Sequence, residues 1–537
     1  MSDGTAPVSK VTQNERLALL ASGALLLLGC IYAILYCSSA QDISGHSIGT
    51  DDAFISYRYA RNLVRGDGLV FNPGEHVEGY TNLLYVLLMA IPFALDWNVL
   101  WFSVSINCVF TFAAWFLLVR HLRARFGVRE AVLGGFLFAL SPSIWLWTSS
   151  GLETPLVFVL QLSIWLLVDG LEQHPSRRSL ACLGAALGVL TLTRADGFVS
   201  AGLASAYLLV KGRRREALVA GGAVVVVFGG LLAWRLHYYH DVLPNTYYAK
   251  VTSTLARRLK SSVKELGGIT ARQGLAVYLL AIAYCALSEA RRALKAPARA
   301  LGDLRFGLAF SVCWLGYWLY VGGDNFEDRF LIILIPIGIY LLLGSILAES
   351  TERMRGFFVA SLVLVQLCVV VRSDQFGKSL KPKYDKWITM GRYLGEHWNH
   401  AVLATPGAGK VPFYSDFKTI DMLGLCDAHI GHLKVRNFIP GHSKSDVDYV
   451  LSLKPDLMFV TIVDDDLDVS PDLSADKYRS AGFRVRLLLN TTPQSRGSRD
   501  VLDVLGRPEQ DIALLAREGW DGVVLERAPR AESATTN

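Results

Sequence analysis

The stretch Leu83–Val119, LLYVLLMAIPFALDWNVLWFSVSINCVFTFAAWFLLV, holds two apolar runs separated only by Asp96-Trp97-Asn98. How the first run is read settles how the rest of the chain is threaded. The second, from about residue 99 to 119, is long enough to cross the apolar core of a bilayer as a helix. The first, Leu83–Leu95, is short for a crossing and carries Pro92 near its end, so it either spans or lies in the membrane interface. If it spans, every later loop changes sides.

Further apolar stretches fall at about 17–36, 131–148, 155–170, 180–194, 197–210, 217–234, 275–288, 304–321, 330–348 and 357–371, which with 99–119 makes about eleven candidate spans. With Leu83–Leu95 left in the interface, the loops Arg120–Glu130, Glu172–Ser179, Lys211–Glu216, Ala290–Arg305 and Glu349–Gly356 share one side and hold seventeen Lys and Arg. The opposite short loops, Ser149–Thr154, Arg194–Gly197 and Gly322–Arg329, hold two. Basic loops are retained on the cytoplasmic side, so this asymmetry places the N-terminus inside and the tail outside. The run at 17–36 follows Lys10 and Arg16 but lacks a small-residue cleavage site, and is read as a span rather than a signal peptide.

Composition agrees with the membrane as solvent. Of 537 residues, 52% are hydrophobic and only 19% charged, with a mean hydropathy of +0.34, which excludes an ordinary soluble enzyme. The net charge of +6 resides largely in the short loops, where orientation explains it; membrane lipids, and no nucleic acid, are the expected partners of those charges. The eight cysteines show no CxxC or Cys/His spacing, so neither a disulfide framework nor a cysteine-held metal is expected.

The expected fold is therefore a polytopic α-helical membrane domain over 1–372 and an extracytoplasmic α/β domain over 373–537. In the tail, extended apolar runs such as Asp456–Val463, Phe483–Leu489 and Gly522–Leu525 alternate with polar, helix-compatible stretches. The outer face also receives a first loop at about 38–98 and a second at about 235–274.

Chemistry-bearing residues concentrate on that face. Asp51 and Asp52 directly precede a helical pattern; two close carboxylates resist joint ionisation and suit a general base or a cation ligand, while the alternative is helix capping. Arg58, Arg61 and Arg65 follow at helical spacing, as a site or as a solvated stripe facing lipid headgroups. Then come Glu78, Tyr80 and Asn82 in Glu78-Gly79-Tyr80-Thr81-Asn82, Glu153, Arg194 with Asp196, and Asp324 with Glu327, Asp328 and Arg329. Ionisable groups at membrane depth are costly, so their recurrence wherever the chain re-emerges on one face points to a shared polar cavity. The second loop adds His237, Asn245, Tyr247 and Lys250; its tyrosines read first as interface anchors, and Lys250 is placed to grip a lipid phosphate. Gly407-Ala408-Gly409-Lys410 lacks the glycine spacing and the following Ser or Thr of a phosphate loop.

The run Asp51-Asp52-Ala53-Phe54-Ile55-Ser56-Tyr57-Arg58-Tyr59-Ala60-Arg61-Asn62-Leu63, continuing through Gly68–Glu75 to Val77–Asn82, resembles the first-loop signature of a branch of the GT-C superfamily that includes the mycobacterial terminal arabinofuranosyltransferase. Ser150–Pro155, Leu192–Gly197, Leu243–Lys250, Gly322–Asp324 and Ile420–Leu425 are similar too. The resemblance implies an inverting glycosyltransferase of the bacterial cytoplasmic membrane that takes a sugar, arabinofuranose foremost, from a polyprenyl phosphate. Asp51 or Asp52 is then the base on an extracytoplasmic glycan, lipid or protein acceptor, and Lys250, Arg329 or a divalent metal ion meets the departing phosphate. It also implies an interfacial helix after the signature, as the charge count requires of Leu83–Leu95. A hexose donor such as polyprenyl-phosphate mannose fits the same framework. The rival of another class, a transporter or flippase, would gather ionisable residues near mid-membrane rather than at one face.

Overall fold

A computed structural model describes residues 12–39, 50–250, 254–295, 305–323, 328–346, parts of 361–368, 386–434, 444–490 except 465 and 471, and 501–528. The chain divides into two compact units, each assembled from three segments. The first comprises Met1–Tyr36, Leu100–Ala233 and Thr254–Lys381; the second comprises Cys37–Val99, Trp234–Ser253 and Pro382–Asn537. The first loop and residues 234–253 thus fold with the tail, not with the spans they interrupt.

The helices up to residue 341 are α1 (Gln13–Ser39), α2 (Asp51–Arg65), α3 (Leu83–Ala94), α4 (Val99–Phe126), α5 (Val128–Ala139), α6 (Pro142–Thr148), α7 (Thr154–Gln173), α8 (Arg177–Thr193), α9 (Gly197–Val210), α10 (Arg214–Tyr238), α11 (Asn245–Lys250), α12 (Leu255–Gln273), α13 (Ala276–Lys295), α14 (Phe306–Val321) and α15 (Leu334–Leu341). Ten of the expected apolar stretches coincide with a helix or a helix pair; the stretch 357–371 lies largely outside the described residues. Among the described residues four helices, α1, α4, α7 and α10, are long and apolar enough to cross a membrane. The pair α5 and α6, bent by 57° where Ser141 and Pro142 break the helix, would make a fifth. Helix α3 has 12 residues, a rise of about 18 Å, short of a bilayer core.

In the first unit the interhelical surfaces are lined by small residues opposite rings. A Cβ on Gly23 of α1 would stand 2.8 Å from Trp115 of α4, and one on Gly307 of α14 2.7 Å from Trp165 of α7. Close approach of this kind is how helices pack where lipid removes the hydrophobic drive. Nearly half of the stretch expected as a second large loop is the helix α12, where Arg257, Lys260 and Lys264 lie among polar positions while Ile269 is buried. An interfacial amphipathic helix reads as polar on average, which hides it among loop residues.

The second unit carries the sheet. Its tail elements are α16 (Lys386–His397), β1 (Val402–Thr405), α17 (Lys410–Ser415), β2 (Lys418–Asp421), α18 (Ala428–Gly431), α19 (Val447–Ser452), β3 (Leu457–Thr461), α20 (Ala475–Ser480), β4 (Phe483–Leu489), β5 (Val501–Asp503), α21 (Glu509–Arg517) and β6 (Gly522–Arg527). The six strands run in the order β2-β1-β3-β6-β4-β5, parallel from β2 to β3 and antiparallel from there on. Period-two alternation explains why the strands read as continuous apolar runs. Leu457, Phe459, Leu487, Leu489 and Val524 pack on one face with Met390 and Leu394 of α16, while Met458, Val460, Leu488, Val523 and Leu525 pack on the other with Tyr478 and Ile512.

Candidate active site

Helix α2 opens at Thr50, whose side chain makes no cap hydrogen bond, and Asp51 and Asp52 occupy the first turn rather than the cap position. The Asp51 carboxylate is used elsewhere. It accepts the Lys410 backbone N–H at 2.8 Å and that of Gly409 at 3.1 Å. Only glycine fits at 409, because a Cβ there would stand 1.9 Å from the Asp51 carbonyl oxygen. The amides that superficially suggested a phosphate loop are thus taken by a carboxylate of the same chain. Burial pushes the Asp51 carboxyl up to about 6, with Asp52 adding to the rise and the two N–H bonds and Lys410 opposing it. Asp52, half-buried beside it, has no hydrogen-bond or ion-pair partner among the described residues.

The three arginines of α2 do not form a solvated stripe. Arg58 is 2% exposed and donates to the carbonyls of Phe71 at 2.7 Å, Phe417 at 2.6 Å and Pro412, and to Asn72 Oδ1 at 3.2 Å, above the Phe71 ring. Burial lowers its guanidinium to about 10. Arg61 binds the Phe413 carbonyl and, with Arg65, the carboxylate of Asp416; only Arg65 is exposed. Asn72, a turn residue in the sequence, receives the Thr419 N–H at 2.9 Å and donates to its carbonyl at 2.8 Å. Its amide therefore satisfies the open edge of β2, the outermost strand.

Glu78 meets Arg235, at the end of α10, through Nε–Oε2 at 2.8 Å and Nη2–Oε1 at 3.0 Å, both side chains buried. Burial pushes the Glu78 carboxyl up to about 7 against the pull of that guanidinium. Tyr80 and Tyr239 share a hydroxyl contact at 3.0 Å, and Tyr239 donates onward to the Leu69 carbonyl at 2.6 Å. The Tyr238 hydroxyl receives the Leu69 N–H, and Tyr248 donates to Asp241 at 2.7 Å. Of the four tyrosines read as a belt, Tyr247 alone is exposed. Asn82 pairs with Ser56 at 3.0 Å. Asn245 donates at 3.0 Å to the carbonyls of Gly424, Leu425 and Asp427, tying the second loop to the tail motif after Ile420. Asp421 accepts the N–H groups of Leu423 and Cys426, and burial raises its carboxyl to about 6. His237 is exposed; the Lys250 side chain lies outside the described residues.

The first unit holds a second cluster. Arg194 reaches Asp196 through Nε at 2.9 Å and Nη2 at 3.0 Å, and Glu153 through Nη1 at 3.0 Å. Its guanidinium lies 4.5 Å from the Phe330 ring centre, and that of Arg329 lies 5.5 Å from the same ring. Glu153, Arg194 and Asp196, expected from the sequence to converge on one face, are brought together, with Arg329 against the same Phe330 ring; Asp324 and Glu327 lie outside the described residues. Asp328 is fully buried and accepts from Trp147 Nε1 at 2.8 Å and from the Ser143 hydroxyl, so it braces α6. Arg258 of α12 escaped the sequence reading, being one of several basic residues there. It is 9% exposed over the Tyr320 ring, and its Nε and Nη1 have no acceptor among the described residues.

No three His, Cys, Asp or Glu side chains among the described residues come together as a metal site, and the Asp51 oxygens are occupied by amides. These described residues do not fit a protein-held metal.

Residues 375–502 match a domain family described as a domain of unknown function, DUF8728. A terminal beta-(1->2)-arabinofuranosyltransferase of Corynebacterium glutamicum is 27% identical over 423 residues, covering 70% of this chain and 58% of that one. The Mycobacterium tuberculosis protein of the same name is 29% identical over 218 residues, covering 37% of this chain and 34% of that one. The chain thus spans between about a third and three-fifths of the length of these curated relatives. Among solved structures, apo ArnT from Cupriavidus metallidurans superposes with a TM-score of 0.54 at 12% identity, covering 95% of this chain and all of that one. The same protein bound to undecaprenyl phosphate gives 0.52 at 13% identity. The resemblance to GT-C glycosyltransferases therefore holds both in sequence relatives and in fold.

Proposed function

We propose that this chain is an inverting glycosyltransferase that moves a sugar, arabinofuranose foremost, from a polyprenyl phosphate to a hydroxyl of an extracytoplasmic acceptor, and that Asp52 is its base. The observation that carries the reading is the division of labour in the first turn of α2. Asp51 is held by the amides of Gly409 and Lys410, whereas Asp52 stands beside it without a partner among the described residues. A carboxylate free of internal partners can accept a substrate proton; one holding two N–H groups is better suited to fixing the turn.

In the reaction the acceptor hydroxyl gives its proton to Asp52 as its oxygen forms a bond to the anomeric carbon. The bond from that carbon to the phosphate oxygen breaks, and its electron pair leaves on the polyprenyl phosphate. Phosphate is a good leaving group, so no general acid is needed, and a cation stabilises the charge that develops on it. Lys250 is the proposed cation. Glu153, Arg194, Asp196, Asp324 and Arg329 keep the substrate-binding roles proposed from the sequence. The orientation, with the N-terminus inside and the tail outside, rests on the charge asymmetry of the loops, and placement in the bacterial cytoplasmic membrane rests on the family resemblance. The names of the curated relatives favour the pentose donor over mannose.

The test is transfer from synthetic polyprenylphosphoryl arabinofuranose and polyprenyl-phosphate mannose to a panel of glycan, lipid and peptide acceptors. Asp52→Asn should lower kcat by about 10²–10⁴-fold with donor binding intact, as loss of a general base does. Lys250→Ala should raise KM and lower kcat together. Full turnover by Asp52→Asn would remove it as the base; transfer from the mannose carrier alone would overturn the pentose assignment.

A further inference from the structure

Outside the residues used above, the first unit has an apolar groove between α1 and α4. It encloses about 660 Å³ and is lined by Leu20, Ala24 and Leu27 of α1 and by Phe112, Trp115 and Phe116 of α4, with Arg120 and Arg123 at one end. The two helices run antiparallel. Gly23 faces Trp115 and the Cys30 carbonyl meets the Cys108 thiol, while Glu15 meets Arg129 at the start of α5, just past the end of α4. The start of α1, with Arg16 one turn before Leu20 on the same face, therefore lies at the arginine end of the groove.

Charge and length agree on an occupant. Arg120 and Arg123 are exposed and have no acceptor among the described residues, whereas nearby Arg125 is bound to Asp169 and Arg129 to Glu15. The acidic side chain facing this end, Glu15, is thus engaged with Arg129 and with the N–H of Thr12. From Phe112 to Arg123 the helix rises about 16 Å, close to half of a roughly 30 Å hydrocarbon core. A groove one leaflet deep, apolar along its length and cationic at its mouth, matches an acyl chain below a phosphate head.

We propose that this groove binds one acidic diacyl phospholipid from the leaflet facing the basic loops, with an acyl chain against Phe112, Trp115 and Phe116 and its phosphate on Arg120 and Arg123. A free phosphate would gain nothing from the apolar floor. A neutral lipid would leave both guanidinium groups without an anion.

The full-length protein is tested in nanodiscs of phosphatidylcholine doped with phosphatidylglycerol, reading retained lipid by native mass spectrometry. Wild type should hold one phosphatidylglycerol per chain in preference to phosphatidylcholine. Arg120→Gln with Arg123→Gln should weaken that retention about thirtyfold, from about 1 kcal/mol for each cation near a headgroup. Ala24→Phe, a change at an exposed position, should abolish retention by filling the groove while the unfolding temperature is kept. Millimolar inorganic phosphate should not displace the lipid. The control, Arg177→Gln with Arg178→Gln, removes two exposed cations of another basic loop and should leave retention unchanged. Equal retention of both lipids, equal loss in the control, displacement by inorganic phosphate, or preferential retention of polyprenyl phosphate would each overturn the proposal. None of these readouts depends on glycosyl transfer, so they stand apart from the catalytic assignment.

Discussion

Replacing Glu78 by Gln tests whether that residue is a substrate ligand, as its place in the first-loop signature implies, or a brace for the loop. Its two oxygens make contacts of 2.8 to 3.1 Å with Arg235, and both side chains are buried. Breaking a buried pair by neutralising one partner leaves an uncompensated charge, at a cost of about 3–5 kcal/mol. For a cooperative unit of this size each kcal/mol moves the midpoint by roughly 2–4 °C, so Glu78→Gln should lower Tm by on the order of 10 °C. The double variant Glu78→Leu with Arg235→Met replaces the pair by apolar groups of similar volume and should recover most of that loss, giving a coupling of at least about 2 kcal/mol. The assay is thermal unfolding in one detergent, followed by near-ultraviolet circular dichroism, with donor binding measured on the same samples. If Glu78→Gln unfolds like wild type yet loses donor binding, the brace is the wrong reading. If the double variant is no better than the single, the pair does not act as a unit.

Asp51 and Asp421, both raised to about 6 by burial, make the second unit respond to pH in a defined direction. A carboxyl with a raised folded pKa binds its proton more tightly when folded, so its contribution is complete below about 4 and is lost as pH rises through about 6. Tm of the second unit's transition should therefore be higher at pH 5 than at pH 7, and Asp421→Asn should flatten the slope; a wild-type slope of the opposite sign would refute the assignment. Gly409→Ala sets a Cβ against the Asp51 carbonyl and should disturb the first turn of α2, with lower Tm and lower transfer than Ala408→Gly in the adjoining position. Arg194→Lys keeps the charge but loses the two-point grip on Asp196, and should weaken donor affinity as well as lower Tm; unchanged donor affinity would remove Arg194 from the substrate-binding set.

The apolar helices and the strands are legible because each is dictated locally. A bilayer demands long apolar helices, and a sheet covered on both faces demands short apolar runs such as Leu457–Thr461. The reading of Leu83–Leu95 as interfacial rests on charges in loops far from it, and the structure has a 12-residue helix there, Leu83–Ala94. Helix α12 was missed because an amphipathic helix averages its two faces into a polar stretch.

The candidate site was legible in residue types and opaque in partners. Asp51 reads as one of two adjacent carboxylates, Arg58 as one of a row of arginines at helical spacing and Asn72 as a turn amide, yet their partners lie 359, 354 and 347 positions away, at Lys410, Pro412 and Thr419. No local spacing encodes such pairings. The physical consequence is specific. A first-loop signature shared with a superfamily branch mixes residues that touch substrate with residues that fasten the loop to the tail. Arg58, whose guanidinium is surrounded by main-chain carbonyls, belongs to the fastening set, and Asp52, with no partner of its own among the described residues, is the residue to which we assign the proposed chemistry. Arg58→Ala should therefore lower Tm and transfer together, whereas Asp52→Asn should lower transfer alone. A folded, stable Arg58→Ala that has lost only donor affinity would return Arg58 to the substrate side of that division.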